Sequence, residues 1–360
     1  MIRKVGLVVV LVSVLSGCAG TVESGAADPG GGVSGPRPIP PAQNALPPGG
    51  CATTVGDPAA AQHALDAARP GDQVCLSGPE LSSAALKVTR GGTPAAPVRV
   101  LSDGASVLGI DVRADHVVVA GFTIRDGEGL TLNGAALNAH HNNVLNARMN
   151  GISCMCSDTV IDSNVVDGTD GTGIRVEGDR ITIAHNQVSG SVRRAASDAD
   201  GVRFFGTDIR INDNTVRDIS GKGYPADGAP HTDCFQTYDS DVPPTYGVVI
   251  SGNRCQQVDQ QCLIATGERA NPGVPDGVRA IVFENNLCDV GGSRAIAVEN
   301  YPHVEIRGNT ISGPNLQRGI QLSSGSVDSA VLDNVLVGDK AVVEADQVSQ
   351  PVTASGNRNQ

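Results

Sequence analysis

The feature that most constrains the fold is a short apolar segment that recurs along the chain from about residue 100. The copies read VVVAGFTI (117–124), TVIDSNVV (159–166), ITIAHNQV (181–188), IRINDNTV (209–216), VVISGNRC (248–255), IVFENNLC (281–288), VEIRGNTI (304–311) and AVLDNVLV (330–337). The marker positions are Gly121, Asn143, Asn164, Asn186, Asn214, Asn253, Asn286, Asn309 and Asn334. The shortest spacings are 21 to 23 residues, and the longer ones carry insertions. A base period of this length predicts a solenoid, with the Asn side chains stacked in a column at one turn.

A second short strand follows most markers after about ten residues, as in GISC (151–154), GIRV (173–176) and CFQT (234–237). The chain has 45 Gly and 21 Pro, but only 5 Phe, 4 Tyr and no Trp. This composition excludes a helical bundle and predicts a core of Val, Ile, Leu and Ala in thin, regular layers. We therefore predict an all-β solenoid.

The repeats resemble those of the pectin-lyase-like superfamily of secreted polysaccharide enzymes over roughly residues 100–350. The resemblance implies a right-handed parallel β-helix, and it leaves the chemistry open because one fold serves many functions. The stretch AAAQHALDAA (59–68) predicts a short helix that caps the open end of the solenoid. We expect one β-helix domain over residues 51–360, with its cap in residues 51–100.

The N-terminus predicts export. Residues 1–17 have basic residues, a short apolar stretch and the sequence LSGC (15–18), which resembles the bacterial lipobox. The resemblance implies lipidation of Cys18 and anchoring to the outer face of the cytoplasmic membrane, with an ordinary cleaved signal peptide as the alternative. Residues 18–50 are rich in Gly and Pro and predict a flexible tether.

The cysteine count is consistent with an oxidising compartment. Nine Cys less Cys18 leave eight, an even number. Equivalent positions on adjacent coils stack within disulfide reach. We therefore predict the pairs Cys234–Cys262 and Cys255–Cys288, with Cys51–Cys75 in the cap. Cys154 and Cys156 are either joined to each other or unpaired.

Aligning the coils brings charged residues into columns. The column before the second strand reads Asn150, Thr172, Asp200, Asp233, Gln261, Arg294 and Arg318, and it precedes a column of small residues. Two positions earlier stand Asp170, Asp198, His231 and Asp259, and three positions later stand Arg175, Arg203 and Gln236. The longest insertions, 192–199 and 219–232, lie beside these columns, as do six of the nine aromatic residues. Insertions on a rigid scaffold are expected to build the walls of a groove.

Stacked carboxylates favour acid–base chemistry. Asp200 and Asp233 on adjacent coils cannot both ionise freely, so we expect one raised pKa. A protonated acid beside a carboxylate is what glycosidic bond cleavage needs. We expect Asp198 and His231 to assist the pair. Two other interpretations stay open: the aspartates are ordinary turn residues, or they bind Ca²⁺ together with Asp170.

A second resemblance concerns this same site. The sequence Asp198-Ala199-Asp200-Gly201, followed one coil later by Asp233-Cys234, is similar to the Asn-Thr-Asp-Gly and Asp-Asp-Cys motifs of polygalacturonase-type glycoside hydrolases. The resemblance implies that Asp200 and Asp233 are catalytic carboxylates and that Asp198 assists them.

The predicted substrate-binding residues are Arg203, Arg175, Lys222, Tyr224, Gln236 and Tyr238. Phe204 and Phe235 are predicted to lie in the core. A polysaccharide lyase or epimerase, with Lys222 or Arg203 as base and Ca²⁺ as helper, is the alternative enzyme class. A non-catalytic carbohydrate-binding or scaffold solenoid is the third.

The formal net charge of −12 argues against nucleic acid as a partner, since binding it needs a basic face. We expect no cofactor other than possible Ca²⁺. We expect a monomer that acts on a polysaccharide or cell-envelope glycan.

Overall fold

The computed structural model describes residues 53–194, 198–224, 228–239, 245–267 and 274–360. The predicted signal peptide, Cys18, the tether and Cys51 lie outside the described residues. Within the described residues, no helix combines the length and the apolar character that a membrane crossing requires.

The chain coils into a parallel β-helix with three faces. Face 1 consists of Gln73–Leu76, Val98–Ser102, Val117–Ala120, Asn138–His140, Val160–Asp162, Thr182–Ala184, Arg210–Asn212, Val248–Ser251, Ile281–Glu284, Val304–Arg307, Ala330–Leu332 and Thr353–Ser355. Face 2 consists of Asn143–Leu145, Val165–Asp167, Gln187–Ser189, Thr215–Ile219, Arg254–Val258, Leu287–Val290, Thr310–Ser312, Val335–Leu336 and Arg358–Asn359. Face 3 consists of Ala85–Val88, Ile152–Ser157, Ile174–Asp179, Val202–Thr207, Phe235–Tyr238, Leu263–Thr266, Arg294–Glu299, Arg318–Ser323 and Ala341–Ala345. Two long strands, Ser106–Arg113 and Thr123–Ala135, pass from face 2 into face 3.

All named strand pairs are parallel and join consecutive coils. On face 3, Ile174 pairs with Val202, Val202 with Phe235, and Phe235 with Leu263. These side chains are completely buried, as are the aromatic residues Phe204 and Phe235 that the sequence assigned to the core. The interior therefore consists of stacked columns of like residues, and the predicted all-β parallel β-helix is confirmed.

The corner between face 1 and face 2 carries a continuous Asn ladder. Its described members are Asn142, Asn164, Asn186, Asn214, Asn253, Asn286, Asn309, Asn334 and Asn357. The backbone N–H of each donates to the Oδ1 atom of the next at 2.8–3.0 Å. The predicted marker Asn143 is wrong by one position. The ladder member is Asn142, because Asn143 pairs with Val165 inside face 2.

The predicted helix near the N-terminus is present as Pro58–Ala67, and 3₁₀ turns span Pro79–Ser83 and Gln347–Ser349. The Asp57 carboxylate caps the helix by accepting the Ala60 N–H at 2.8 Å. Ala61 and Leu65 are completely buried in the same core cluster as the first coils. The helix therefore extends the solenoid core at this end.

The disulfide bonds correct the predicted pairing. Cys234 joins Cys255 and Cys262 joins Cys288, with Cα–Cα distances of 6.0 and 5.7 Å. The predicted register itself holds, since Cys255 pairs with Cys288 across face 2 and the residues after Cys234 and Cys262 pair across face 3.

The reason for the correction is side-chain direction. In-register Cβ atoms in adjacent parallel strands point the same way and stay about 4.8 Å apart, beyond the span of about 3.5–4.5 Å that a disulfide bridges. Each bridge instead crosses the corner between faces 2 and 3 and joins one coil to the next. Cys154 and Cys156 are bonded to each other. Cys75 is also disulfide-bonded, and Cys51, its predicted partner, lies outside the described residues.

Candidate functional site

The corner between face 2 and face 3 holds a second side-chain column, which we call the Asp column and which comprises Asn150, Thr172, Asp200, Asp233 and Gln261. Its alignment matches the prediction, since the strands that follow these residues are in register. Asp200 Oδ1 accepts the Asp233 N–H at 2.9 Å, and Asp233 Oδ1 accepts the Gln261 N–H at 2.8 Å. Asn150 Oδ1 accepts the Thr172 N–H in the same way, at 3.1 Å. One oxygen of each aspartate therefore has a structural role that an Asn can fill.

The next column must be small because the corner is tight. A Cβ atom added at Gly201 would clash with the Val216 side chain and lie 2.8 Å from the carbonyl oxygen of Cys234. The Asp-Gly sequence at 200–201 thus follows from packing as well as from chemistry.

Both column aspartates are buried, with 0 % of Asp200 and 1 % of Asp233 exposed. Their carboxyl groups are therefore shielded from solvent. Arg203, from the strand that follows, folds back over Asp200, and its Nε atom donates to Asp200 Oδ2 at 2.7 Å. Asp233 Oδ2 is buried and has no hydrogen-bond partner among the described residues.

The pKa values of the three neighbouring aspartates do not all shift in the same direction. Burial raises the pKa of Asp233 well above its usual range, and the nearby Asp200 carboxylate raises it further. Burial also raises the pKa of Asp200, although Arg203 and the Asp233 N–H oppose the shift. Burial acts in the same direction on Asp198, but hydrogen bonding and charge from Arg203 outweigh it, so the pKa of Asp198 is lowered. The site thus favours a proton on Asp233 and an ionised Asp198.

Arg203 links two of these carboxylates. Its Nη2 atom contacts Asp198 Oδ2 and lies 2.6 Å from Asp200 Oδ2. Asp198 Oδ1 also accepts the backbone N–H of His231 at 3.2 Å. The Asp198 side chain is 23 % exposed, so solvent reaches it while Asp200 stays covered.

His231 lies on the exposed side of this group. Its Nδ1 atom is 3.1 Å from the Gln236 side-chain amide nitrogen. Gln236 is buried, and its Oε1 atom has no hydrogen-bond partner among the described residues. The sequence prediction therefore correctly brings together His231, Gln236, Arg203 and the three aspartates.

An aromatic pair borders the site on face 3. The rings of Phe205 and Tyr238 meet edge to face, with centroids 4.8 Å apart. The Arg203 guanidinium lies 6.0 Å from the Tyr238 centroid, and the Arg175 guanidinium lies 5.5 Å from the Phe205 centroid. Phe205 is the residue that sequence reasoning left without a role. The signal was strand alternation, because Phe204 points inward and Phe205 must then point outward.

Two predicted substrate-binding residues lie elsewhere or are already engaged. Lys222 lines a separate cavity of about 520 Å³ together with Asp218, Asp259 and Asp289. The Tyr224 hydroxyl accepts the Arg193 N–H and donates to the Arg193 carbonyl, both at 2.7 Å, so it fastens one insertion to the other.

Asp170 and Asp259 also hold insertions in place. Asp170 Oδ1 accepts the Arg194 N–H at 2.6 Å. Asp259 Oδ2 accepts from the Ser220 hydroxyl at 2.6 Å and from the Gly221 N–H at 3.0 Å. The column that aligned Asp170 and Asp259 with Asp198 and His231 therefore does not form one patch.

The carboxylates fit a calcium site poorly in this arrangement. Arg203 already supplies positive charge to Asp198 and Asp200, while Asp170 contacts the first insertion. Within the described part of the chain, no three His, Cys, Asp or Glu side chains are grouped as metal ligands. Calcium binding stays a prediction from the sequence, and no chemical step below is assigned to it.

Comparison with solved structures identifies the architecture. The chain is similar in structure to a pectate lyase. The TM-score is 0.50 at 14 % identity, over 82 % of this chain and 73 % of the lyase. The chain is also similar to the tailspike protein of E. coli bacteriophage HK620 in complex with a pentasaccharide, with a TM-score of 0.57 at 11 % identity. That match covers 88 % of this chain and 65 % of the tailspike chain. No protein-family model and no curated protein matches the sequence. Likeness at this level of identity establishes the fold alone.

Proposed function

We propose that the chain is an exported carbohydrate-active enzyme that hydrolyses glycosidic bonds at the Asp200–Asp233 site. The similar solved structures include a pectate lyase and a tailspike with a bound pentasaccharide, so this fold accommodates glycans in at least these two proteins. Of the aromatic pair, Phe205 is completely buried, and the half-buried ring of Tyr238 is the one on which a sugar ring can stack.

The observation that carries the proposal is the opposed ionisation of neighbouring carboxyl groups. The pKa of Asp233 is raised by burial and by Asp200, and that of Asp198 is lowered by Arg203. Environments that push the pKa values of adjacent acids apart are typical of acid–base pairs. Asp233 then holds the proton that the leaving oxygen receives. Burial also raises the pKa of Asp200, but the Arg203 guanidinium at 2.7 Å opposes that shift, and we assign Asp200 as the nucleophile or the base that activates water.

The exposed residues of the site determine the side from which a glycan can reach Asp200 and Asp233. Asp198 is partly exposed and His231 is exposed, whereas Asp200 and Asp233 are covered. The glycan therefore approaches over Asp198 and His231, and its binding must displace covering side chains to reach Asp233 Oδ2. Arg203 positions the two carboxylates that it contacts and keeps Asp198 ionised.

The lyase alternative receives less support from the geometry. A lyase base must give up its proton to act, but Arg203 contacts two carboxylates that stabilise its charge, which raises its pKa. Lys222 lines a different cavity from the Asp column. A binding protein without catalysis would not need a buried carboxyl group that lacks a partner.

Product analysis tests the reaction class. The chain is incubated with a panel of polysaccharides, and the products are analysed by mass spectrometry. Hydrolysis adds one water per bond broken, and we expect that result. A 4,5-unsaturated product would establish a lyase instead, and binding without cleavage across the panel would favour a carbohydrate-binding role.

Export and anchoring belong to the same proposal. Disulfides such as Cys234–Cys255 form and persist in oxidising compartments. We propose that residues 1–17 direct export and that Cys18 carries the lipid. Cys18→Ala should release the protein from membranes or block its processing, and unchanged processing and membrane retention would contradict the lipid anchor.

A further inference from the structure

The step from the Asp column into face 3 repeats from coil to coil. Three positions after each column residue comes a residue on the outer side of a face 3 strand, and the register aligns these outer residues as Ser153, Arg175, Arg203 and Gln236. In two coils the outer side chain is hydrogen-bonded to the column side chain. Asn150 Nδ2 donates to Ser153 Oγ at 3.2 Å. Arg203 Nε donates to Asp200 Oδ2 at 2.7 Å. The equivalent contact is open to Gln236 on the next coil.

Gln236 occupies the position of Arg203 one coil further on. Each of the two follows its column aspartate by three residues. The amide oxygen of a glutamine is as many bonds from Cα as the Nε atom of an arginine, so Gln236 Oε1 can reach the Asp233 carboxyl group by the route that Arg203 takes. The side-chain amide nitrogen of Gln236 is 3.1 Å from His231 Nδ1, which leaves the amide oxygen for a different partner.

Two buried oxygens within residues 233–236 have no hydrogen-bond partner among the described residues. They are Asp233 Oδ2 and Gln236 Oε1, on residues that are 1 % and 6 % exposed. An amide oxygen and an ionised carboxylate both only accept hydrogen bonds, so neither can satisfy the other. A proton on Asp233 Oδ2 makes that oxygen a donor and gives both atoms a partner. Burying polar atoms without partners is costly, and this one bond removes the cost for both.

We propose that Gln236 is a positioning residue whose amide oxygen holds the acid proton on Asp233 Oδ2 until the glycan binds. The proposal rests on the hydrolase function proposed above. The two coils then match in charge: the Arg203 cation covers the aspartate assigned as nucleophile or base, and the neutral Gln236 amide covers the aspartate assigned as acid.

The bound glycan takes over the hydrogen bond. Its leaving oxygen replaces the amide oxygen as acceptor, so Gln236 is a covering side chain that moves aside. The O–H bond of Asp233 then breaks, and the leaving oxygen receives its proton together with the electron pair of the glycosidic C–O bond. Asp233 is left as a carboxylate.

Several other groups also bear on the protonation of Asp233. Burial raises its pKa most, and neighbouring carboxylates raise it further. A backbone N–H and a guanidinium lower it. The groups concerned are Asp200, the Gln261 N–H, Arg203 and Asp198, and His231 contacts the nitrogen end of the Gln236 amide. An acceptor for the protonated acid acts in the same direction as burial, because it stabilises the neutral form.

Carbon-13 NMR of the Asp233 carboxyl group in the full chain tests this role. The Asp233 signal is the one absent from Asp233→Asn. Gln236→Met keeps the length of the side chain but removes the acceptor, so we expect the pKa of Asp233 to fall by about 0.5–1 pH unit. Gln236→Glu keeps an acceptor and adds negative charge, so we expect a rise. Gln321→Met is the matched control and should change nothing, because Gln321 lies in the same outer column three coils further on.

The pH profile of activity gives a second readout on the glycan that the product panel identifies. The alkaline limb of kcat/KM reports loss of the acid proton, so it should move to lower pH in Gln236→Met and to higher pH in Gln236→Glu. A side chain with a merely structural role would not move this limb in opposite directions. Expected NMR shifts without cleavage of any glycan would support the role of Gln236 and contradict the hydrolase instead.

Two NMR results would overturn the proposal. One is an unchanged pKa of Asp233 in both folded variants. The other is a rise in Gln236→Met, which would mean that the amide donates to an ionised Asp233. If Gln236→Met does not fold, wild-type protein decides. The side-chain amide carbon of Gln236 must then titrate together with Asp233, and an amide signal that does not follow this titration contradicts the proposal.

Discussion

The same type of hydrogen bond joins adjacent coils at both corners that flank face 2, but the two corners differ in what else their side chains do. At the Asn ladder, each side-chain oxygen accepts a backbone N–H from the neighbouring coil, and each Nδ2 atom also donates. The Nδ2 atom of Asn214, for example, donates to Asn253 Oδ1 at 3.0 Å and to the Ile183 carbonyl at 2.9 Å. At the Asp column, Asp200 and Asp233 make the same oxygen contacts but have no side-chain N–H to donate. The Asn ladder is thus a fully bonded structural support, whereas the Asp column leaves a buried oxygen on Asp233 without a partner among the described residues.

This difference distinguishes the Asn ladder, which is structural, from the Asp column, which is the candidate catalytic site. An Asn at position 233 would preserve the bond to Gln261 and avoid burying a carboxyl group, as Asn150 shows in the same column. Burying a carboxyl group costs free energy, so its presence at 233 needs a reason beyond the fold. The insertions 192–199 and 219–232 also enter at this corner, each between a face 2 strand and the face 3 strand that follows it, and not at the Asn ladder.

The largest effect is expected at the Asn ladder. Asn214→Ala leaves the Asn186 N–H without its acceptor, and it removes one of two acceptors of the Asn186 Nδ2 group and the side-chain donor to the Ile183 carbonyl. At about 1–3 kcal/mol for each buried group, we expect a loss of about 2–5 kcal/mol in the free energy of unfolding. Asn150→Ala removes two partly buried bonds at the other corner, one accepted from the Thr172 N–H and one donated to Ser153 Oγ, and should cost about 1–2 kcal/mol. Denaturant unfolding of both variants checks this, and equal losses would contradict the distinction between the corners.

The disulfide across the Asp corner should have the next largest effect. Removing the Cys234–Cys255 bridge, which closes a separation of 21 residues, by Cys255→Ala should cost about 2–4 kcal/mol. Non-reducing peptide mapping of the wild-type chain is the direct check. A peptide that joins Cys234 to Cys262 would show that the bridges run along the columns and not across the corner.

A smaller effect is expected in the pH dependence of stability. The raised pKa of Asp233 means that the folded chain keeps a proton that the unfolded chain releases near pH 4. The contribution of Asp233 to the free energy of unfolding is therefore at its full value below about pH 4. It falls by about 1.4 kcal/mol per pH unit as the pH rises from there towards the raised pKa. Asp233→Asn should remove this slope. Unfolding curves measured from pH 4 to 8 test it, and identical slopes in both proteins would mean that Asp233 is ionised throughout.

The sequence predicted the coils and the Asp column because both repeat. The small residues at 151, 173 and 201 must align at a tight corner, and this alignment placed Asp200 beside Asp233 correctly. Features that depend on side-chain direction were not predictable in this way. The disulfides cross a corner that a column alignment does not describe, and the Asn142-Asn143 doublet fits the period equally well at either residue.

The burial of the aspartates depends on contacts that no period encodes. Arg203 folds back over Asp200 from three residues away, and the Tyr224 hydroxyl is engaged by the Arg193 backbone. These contacts involve the insertions or a single side-chain rotamer. The residues of the candidate site were therefore predictable, while their exposure and protonation required the structure.

The most direct test of the central claim is the kcat/KM of Asp233→Asn on the glycan that the product panel identifies. The substitution keeps the oxygen that accepts the Gln261 N–H but removes the proton that the leaving group needs. We expect a loss of about 10²-fold or more, as is usual for a positioned acid, with unfolding unchanged or improved at pH 7. Asp179→Asn, which removes a carboxylate at the far end of a face 3 strand, is the control and should keep wild-type activity. A folded Asp233→Asn variant with wild-type kcat/KM would show that the Asp column is structural and that catalysis, if any, lies elsewhere.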